Sequence, residues 1–279
     1  MLDKKTNPIF KKVDFGFIQG RMTKPPSKKI LQYFPKKNWK KEFYYAEKYK
    51  FDFIEYFGER KFNKENPIWN SKNLKEINYL VKKKKLQNYS FCDDFFINTS
   101  LIDYQNINNY YNILINNLEL IKIKVYVLAL FEKSLINKKN LKNFIDKLII
   151  IAKKLNSKKI KLALETNLDA PSIKRLIKLI NKKNVFVVYD TGNRLKKKDL
   201  QYKEIVKLKN HICHFHIKDK NWKDENVILG TGNVNFDLIF DAVKKIRYKG
   251  KFTFETNRGS NPIKTMCANR DFILDKIKS

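Results

Sequence analysis

The chain has 279 residues, 43% of them hydrophobic, so it is long enough to bury a large core and its composition argues against disorder. Its 60 Lys and Arg residues exceed its 28 Asp and Glu residues, which gives a formal net charge of +32. Because the lysines are spread along the whole chain and form no basic tail, we interpret the charge as a solvated surface that attracts anionic small molecules. We therefore expect no nucleic-acid partner.

Membrane and secretory segments are not predicted. The longest apolar runs, such as Val125–Phe131, are much shorter than the roughly 20 residues that a membrane helix needs. The segment Met1–Lys12 lacks the apolar stretch of a secretory signal. The three cysteines form no CxxC pair, which argues against a disulfide framework and a thiolate zinc site. We expect a cytoplasmic protein whose cysteines are buried free thiols.

Eight short segments are predicted to be strands, because they are rich in Val, Ile, Phe and Tyr and are continuously apolar. In chain order they are Val13–Gln19, Phe51–Phe57, Leu86–Cys92, Lys122–Leu130, Lys159–Thr166, Val185–Asp190, Cys213–Lys218 and Phe252–Glu255. Continuous apolar runs of this length are typical of strands that are covered on both faces, as in a parallel sheet.

Segments with helical periodicity lie between these strands. They are Trp39–Tyr49, Leu74–Lys84, Ile107–Leu120, Leu141–Leu155, Ser172–Asn181, Leu200–Leu208, Asp237–Ile246 and Ile263–Ile277. In the fourth, apolar residues recur every three or four positions and mark one buried face. Each helix can therefore cover one face of the sheet.

The alternation of eight strands with eight helices predicts an α/β fold of the (β/α)8 TIM barrel type. We expect one barrel domain over residues 1–279, with residues 1–12 as an N-terminal extension. The alternative is a doubly wound open sheet, which would carry a Gly-rich dinucleotide-binding turn after its first strand. That strand instead ends in Gln19-Gly20-Arg21, without a GxGxxG pattern.

Four of the later predicted strands end in a polar residue directly after an apolar run: Glu165, Asp190, His216 and Glu255. The carboxyl ends of barrel strands meet at the mouth where active sites lie. Three carboxylates brought together there would repel one another without a cation. The pattern therefore predicts one divalent metal ion. Carboxylate and imidazole ligands suit Mn2+, Zn2+, Co2+ or Mg2+, and we take Mn2+ as the first choice.

Further polar residues at strand ends face the same predicted mouth and are candidate substrate ligands: Gln19, Arg21, Glu55, Lys218 and Arg258. Lys218 and Arg258 could bind a phosphate or carboxylate of the substrate, or could form ion pairs with metal-bound carboxylates. His214, two residues before His216, points to the same side of its strand and is predicted to be a hydrogen-bonded residue in the layer below. Gly230 and Gly232 are predicted to form a tight loop.

Six short motifs follow one another along the chain. They are FIQGRM (17–22), LETN (164–167), DTGN (190–193), HFHIKD (214–219), LGTG (229–232) and FETNR (254–258). In this order they resemble the sugar phosphate isomerase/epimerase family of the xylose isomerase-like TIM barrel superfamily, which also contains endonuclease IV-type DNA repair enzymes. The resemblance covers nearly the whole chain, from about Val13 to the C-terminus. It is fairly specific for the superfamily and poorly specific for any one substrate.

The resemblance implies that Glu165, Asp190, His216 and Glu255 bind the metal. In ketose epimerases of the superfamily, one glutamate removes the proton next to the carbonyl and the other returns one to the opposite face or to a neighbouring carbon. Glu165 and Glu255 are our candidates for that pair. The metal polarises the carbonyl and stabilises the enediolate. The ketose 3-epimerases carry a substrate-binding His three residues after the metal Asp, where this chain has Asn193, a hydrogen-bonding residue that cannot carry a proton.

We therefore predict a metal-dependent isomerase or epimerase of a small sugar, sugar phosphate or related keto-acid. One alternative is dehydration of a polyol ketone, which begins with removal of the same kind of proton. Another is an endonuclease IV-like phosphodiesterase on abasic DNA. That activity uses three clustered metal ions, and the chain has only three histidines to help hold them. Barrels of this superfamily often pair, so a homodimer is compatible with the resemblance, but no sequence feature demands one.

Overall fold

The computed structural model describes residues 13–27, 30–197 and 199–278, so the predicted extension over residues 1–12 lies outside the described residues. The strands are β1 Phe15–Ile18, β2 Phe53–Gly58, β3 Ser90–Asp93, β4 Val125–Ala129, β5 Lys161–Glu165, β6 Val185–Asp190, β7 Ile212–Ile217, β8 Asp219–Lys220, β9 Asn226–Val227 and β10 Lys251–Phe254. The helices are α1 Trp39–Lys48, α2 Ser71–Lys83, α3 Phe95–Asn98, α4 Ile107–Leu120, α5 Leu141–Ser157, α6 Ala170–Ile180, α7 Leu200–Leu208, α8 Phe236–Lys245 and α9 Pro262–Lys278.

Eight of these strands close into a barrel in the order β1, β2, β3, β4, β5, β6, β7 and β10, with β10 pairing back to β1. Every pair in the barrel is parallel. The remaining two, β8 and β9, form a separate antiparallel pair after β7. The predicted (β/α)8 TIM barrel is confirmed.

All eight predicted strands and all eight predicted helices are present, and α4 and α7 begin and end at the predicted residues. The third strand is shorter than the predicted Leu86–Cys92, because Gln87 makes only an isolated bridge to Phe53 before β3 begins at Ser90. The short helix α3 and the β8–β9 pair are additions that the periodicity did not predict. None of the described helices is both long and apolar enough to cross a membrane.

The strands alternate between two cores. The larger core packs strand residues such as Leu164 against the surrounding helices. A smaller one consists of strand residues that face the barrel axis, among them Val127 and Ala163. Inside the barrel the ring of Phe53 lies beside Gly16, where an added Cβ would be 2.4 Å from that ring. Side chains therefore fill the interior below the mouth.

An irregularity in β7 sets the direction of its histidines. The pairing with β6 changes from Val187 opposite Ile212 to Val188 opposite His214, so Cys213 is an extra residue in β7. After this bulge, Phe215 packs in the outer core while His214 and His216 point into the barrel. Cys213 is a buried free thiol, as predicted.

Candidate metal centre

The four predicted metal ligands meet at the carboxyl end of the barrel. Glu165 is the last residue of β5, Asp190 the last of β6, His216 the second-to-last of β7, and Glu255 directly follows β10. Each is buried, and each offers one ligand atom within 4.8 Å of the others. Because these strands are parallel and neighbouring, their ends converge and bring the four side chains together.

The geometry of this cluster fits a divalent ion. His216 Nδ1 lies 3.1 Å from Glu255 Oε2 and 3.7 Å from Glu165 Oε2. Ligand atoms in adjacent octahedral positions around an ion at roughly 2.1 Å are about 3 Å apart. His216 Nδ1 and Asp190 Oδ2 are buried, and each lies beside a charged side chain at the cluster, Glu255 for Nδ1 and Lys218 for Oδ2. One imidazole and three carboxylates would thus hold a first-row divalent ion or Mg2+.

The turn after β6 orients two of the ligands. The backbone N–H groups of Gly192 and Asn193 donate to Asp190 Oδ1 at 2.8 and 2.7 Å, which leaves Oδ2 facing the cluster. The Asn193 side-chain amide donates to Glu165 Oε1 at 2.9 Å. An added Cβ at Gly192 would lie 2.8 Å from the Lys218 side chain. The DTGN motif therefore combines a ligand, its positioning donors and room for a neighbouring lysine.

Lys218 places a cation inside the cluster. Its Nζ lies 2.7 Å from Glu255 Oε1 and 3.0 Å from Asp190 Oδ2, and its side chain is 4% exposed. Burial opposes the charge, but Asp190 and Glu255 outweigh it and raise the pKa of Lys218 above its ordinary value. Of the two roles considered for Lys218, the structure displays the ion pair with the ligand carboxylates.

Glu55 lies below the cluster, in the interior of the barrel. The sequence predicts it at the mouth, but β2 continues to Gly58, which puts Glu55 three residues before the strand end. Its Oε2 lies 2.7 Å from His214 Nε2 and its Oε1 lies 2.8 Å from His216 Nε2. The hydroxyl of Ser90 also donates to Oε2. Glu55 therefore contacts both histidines of β7 and does not line the cleft. The prediction of a hydrogen-bonded His214 is confirmed.

Arg21 lies in the loop after β1, and its guanidinium contacts the cluster. Its NH2 lies 3.5 Å from Glu255 Oε1 and donates to Gln32 Oε1 at 2.8 Å. The Gln32 amide in turn donates to Glu255 Oε1 at 3.2 Å. Arg21 is fully buried, and its NH1 donates to the Thr256 carbonyl. These contacts connect the loop after β1 to a carboxylate of the candidate metal centre.

Arg258 and Gln19 lie outside the cleft lining, although both were predicted to be substrate ligands. Arg258 donates from Nε to the Gly20 carbonyl at 2.8 Å and from NH1 to the Ile30 carbonyl at 3.1 Å. Its guanidinium also covers the ring of Tyr33. Gln19 is fully buried, and its side-chain amide has no hydrogen-bond partner within the described part of the chain. Arg258 thus holds the loop after β1 in place.

The cluster opens into a cleft of about 1140 Å3. Glu165, Glu255, Lys218 and Asn193 form its floor. Its walls come from the loop after β1, the ends of β2 and β3, and the β8–β9 pair, represented by Gln32, Phe57, Asp94 and Asn226. The volume is ample for a small sugar or a sugar phosphate.

Comparison with known proteins assigns the family. Residues 43–275 match the family model of the xylose isomerase-like TIM barrel. The chain belongs to this family. The uncharacterized protein MJ1311 of Methanocaldococcus jannaschii is 29% identical over 98 residues, which are 34% of this chain and 33% of that protein. The chain thus matches only about a third of that relative's length.

Solved structures share the xylose isomerase-like fold over almost the whole chain. D-psicose 3-epimerase of Clostridium cellulolyticum H10 has a TM-score of 0.73 at 15% identity, covering 96% of this chain and 100% of that one. An L-ribulose 3-epimerase has a TM-score of 0.75 at 15% identity, with 96% and 95% covered. The 3-keto-D-glucoside 4-epimerase YcjR of E. coli has 0.72 at 15% identity, with 95% and 100% covered. At this identity the likeness establishes the fold.

The pKa values of the two glutamates in this candidate centre shift in opposite directions. Burial raises the pKa of Glu165 to about 8, against the opposing charge of His216. Burial would also raise the pKa of Glu255, but the neighbouring charges of Lys218 and His216 hold it well below its ordinary value. Burial lowers the pKa of His216, yet Glu55 and the ligand carboxylates outweigh it and raise that pKa well above its ordinary range.

Sequence reasoning missed Asp94 and Gln32 among the residues of this barrel's cleft. The strand-end rule that identified Glu165 would have selected Asp93, which directly follows Cys92 and is bound by two tyrosine hydroxyls, whereas Asp94 is one residue further on. Gln32 lies in the irregular loop after β1, where no periodicity or motif marks it. Only the folded chain shows that its amide reaches Glu255.

Proposed function

We propose that this chain is a divalent-metal-dependent isomerase or epimerase of a small sugar, sugar phosphate or related keto compound. The observation that carries the proposal is the placement of Glu165 and Glu255 in one buried cluster with Asp190 and His216 at the mouth of the barrel. Two carboxylates at one metal centre can handle a proton on either side of a bound carbonyl compound. The xylose isomerase-like family, to which the chain belongs, supports this reading.

In the proposed reaction, Glu165 and Glu255 move one proton each. One carboxylate takes the proton from the carbon next to the substrate carbonyl, and the electron pair of that C–H bond moves towards the carbonyl oxygen. The other returns a proton to the opposite face of the same carbon, or to the former carbonyl carbon. In the second case the hydroxyl proton on the first carbon also passes to the former carbonyl oxygen, and the first carbon becomes the new carbonyl carbon. The first outcome inverts a hydroxyl-bearing carbon, and the second moves the carbonyl along the chain.

The four ligands would hold the ion, and the remaining residues would hold the substrate. A bound Mn2+, our first choice, would polarise the carbonyl and offset the negative charge that develops on its oxygen. The amide of Asn193 and the ammonium of Lys218 line the cleft beside the ligands, where both can donate to substrate oxygens. The structural neighbours described as epimerases of D-psicose, L-ribulose and 3-keto-D-glucoside support a sugar as the substrate.

Metal content and solvent-deuterium incorporation, measured on the same preparation, test this proposal. The purified chain would be loaded with Mn2+ and mixed in D2O with ketoses, ketose phosphates and hydroxypyruvate. Glu255→Gln removes one of the two carboxylates and keeps its size. Glu119→Gln is the matched control, because Glu119 lies on α4 and pairs with Lys158 at the surface.

We expect one Mn2+ per chain and exchange of a proton next to a carbonyl, reduced at least about 100-fold in Glu255→Gln and retained in Glu119→Gln. Product analysis by NMR would distinguish an epimer, an isomer and a dehydrated ketone. A wild-type chain that binds no divalent metal would contradict both the metal centre and the proposed reaction. Bound metal without exchange on any compound would contradict the proton transfer and leave the metal centre in place.

A further inference from the structure

Asp94 is a cleft carboxylate that the proposed reaction does not use. It directly follows β3, is 5% exposed, and lines the same cleft as Glu165, Glu255 and Lys218. Within the described residues, the only hydrogen bond to its side chain comes from the Cys92 thiol, with a sulfur–oxygen distance of 3.7 Å. A thiol is a weak donor, so Asp94 is buried almost without hydrogen-bond donors.

The other carboxylates of the cleft have amide donors or ion-pair partners, or belong to the metal cluster. Among the described residues, six carboxylates line the cleft: Glu59, Asp94, Glu132, Glu165, Asp224 and Glu255. Glu59 accepts from two asparagine amides, Glu132 pairs with Arg60, and Asp224 pairs with Lys220. Glu165 and Glu255 belong to the metal cluster. Asp94 alone of these six lacks both an N–H or O–H donor and a direct ion pair.

The protein gives the Asp94 carboxylate little support of its own. Burying a carboxylate without donors disfavours its charged form, and burial, with the charge of Glu255, raises the pKa of Asp94 to about 7. The adjacent Asp93 shows how the fold satisfies a carboxylate that it uses for structure. Asp93 is fully buried and accepts from the hydroxyls of Tyr126 at 2.7 Å and Tyr110 at 2.9 Å. Among the described residues Asp94 has no such hydroxyl donors, and it lines the cleft instead.

We infer that Asp94 is a substrate-binding residue that accepts hydrogen bonds from hydroxyl groups of a polyhydroxy substrate. This inference rests on the proposed function and narrows its substrate class. A carboxylate is an acceptor only, and hydroxyl groups are the donors that a sugar offers. Phe57 and Ile97 line the cleft as apolar surfaces near the ends of β2 and β3. In this inference the hydroxylated carbons of the substrate lie at the β3 end, beside Asp94 and these apolar surfaces.

The test compares the binding of two ligands to the wild type and to three variants. L-ribulose carries hydroxylated carbons beyond its ketone group, whereas dihydroxyacetone is truncated after it. Binding of each is measured by saturation transfer from the protein, in chelator and with Mg2+, because the paramagnetic Mn2+ would broaden the signals of a ligand bound beside it. The variants are Asp94→Asn, Asp93→Asn and, as a second control in the same cleft, Glu132→Gln, whose carboxylate is already paired and exposed. Thermal unfolding of the ligand-free variants is measured alongside.

We expect Asp94→Asn to weaken L-ribulose binding about 10-fold to 100-fold, because hydrogen bonds to a charged acceptor are lost. Its affinity for dihydroxyacetone and that of Glu132→Gln for both ligands should change by less than about twofold. Asp94→Asn should unfold at the wild-type temperature or above it, since it removes an unsatisfied charge, whereas Asp93→Asn should unfold at a lower temperature.

An Asp94→Asn variant that unfolds earlier and keeps its L-ribulose affinity would overturn the inference and make Asp94 structural. Equal weakening of both ligands would also overturn it, because the effect would not depend on the extra hydroxyl groups. A wild-type chain that binds Mn2+ but not L-ribulose would overturn the inference and leave the metal centre standing. A chain that binds L-ribulose through Asp94 but takes up no metal would instead contradict the proposed function.

Discussion

Glu55 Oε1 lies 2.8 Å from His216 Nε2, on the side of the imidazole opposite the carboxylates of the candidate metal centre. The other ring nitrogen, Nδ1, lies 3.1 Å from Glu255 Oε2. The ring of His216 is thus held between a carboxylate in the barrel interior and the proposed centre above it. A carboxylate on the far nitrogen of a metal-binding histidine fixes the ring and keeps the near nitrogen directed at the ion.

We predict that Glu55→Gln lowers Mn2+ affinity about 10-fold to 100-fold, the usual effect of losing such an outer partner. Glutamine keeps the size of the side chain but loses the charge that faces both histidines. Free Mn2+ is measured by electron paramagnetic resonance during titration, and circular dichroism checks that the variant is folded. A folded Glu55→Gln chain with the Mn2+ affinity of Glu119→Gln would show that Glu55 plays no part in metal binding.

Lys218→Met should destabilise the chain in chelator by about 3–5 kcal/mol, because it removes the ammonium group that lies against the buried carboxylates of Asp190 and Glu255. Added Mn2+ would neutralise the same carboxylates. The rise in unfolding temperature on adding Mn2+ should therefore be larger in Lys218→Met than in the wild type.

The measurement is thermal unfolding in chelator and in excess Mn2+, with Lys158→Met as the matched control. Lys158 pairs with Glu119 at the protein surface, so its loss should change the free energy of unfolding by less than about 1 kcal/mol. If Mn2+ stabilised Lys218→Met and the wild type equally, Lys218 and the ion would not compensate the same charges.

We predict that the free energy of unfolding depends on pH through the buried carboxyl group of Glu42. Its buried carboxylate accepts from the backbone N–H groups of Gly20 and Met22, and burial raises its pKa from an ordinary 4.5 to about 7. Between pH 4.5 and about pH 7 the Glu42 carboxyl group is protonated in the folded chain and ionised in the unfolded chain. The free energy of unfolding is therefore highest below about pH 4.5 and falls as the pH rises towards about 7.

The Glu42→Gln variant isolates this effect, because its amide oxygen can still accept from both N–H groups and does not titrate. Urea unfolding of both proteins across this pH range should show the wild type losing at most about 3 kcal/mol relative to the variant as the pH rises. A difference that is constant with pH would mean that Glu42 titrates at its ordinary pKa.

Gly232→Ala should destabilise the loop after β9 by about 1–3 kcal/mol, the usual cost of an overpacked site. The Gly232 N–H donates to Asp219 Oδ2 at 3.0 Å, and an added Cβ would lie 2.2 Å from Asp219 Oδ1. Urea unfolding measures the change, with the exposed neighbour Thr231→Ala as control. An Ala variant as stable as the wild type would show that the loop can move away from Asp219.

Much of the fold could be predicted from the sequence, because strand and helix periods are local properties. The apolar spacing in α4 and α7 marked both ends of each helix, and the strand-end polar residues marked the mouth. Parallel strands must end at the same edge, so Glu165 and Asp190 could be expected to meet before any contact was known. The bounds of β3 were less certain, since pairing and not periodicity ends a short strand.

The sequence by itself therefore determined the barrel, the alternation that points side chains inward, and the four residues that converge as a candidate centre. Only the tertiary structure decided that Glu55 lies beneath His216 and that Arg258 holds the carbonyls of Gly20 and Ile30. It also decided that Asp94 lines the cleft with the Cys92 thiol as its one side-chain donor among the described residues. The physical reason is distance along the chain. Periodicity depends on residues that are a few positions apart in the sequence. These contacts instead depend on barrel closure and loop packing, which bring together residues as far apart as 238 positions.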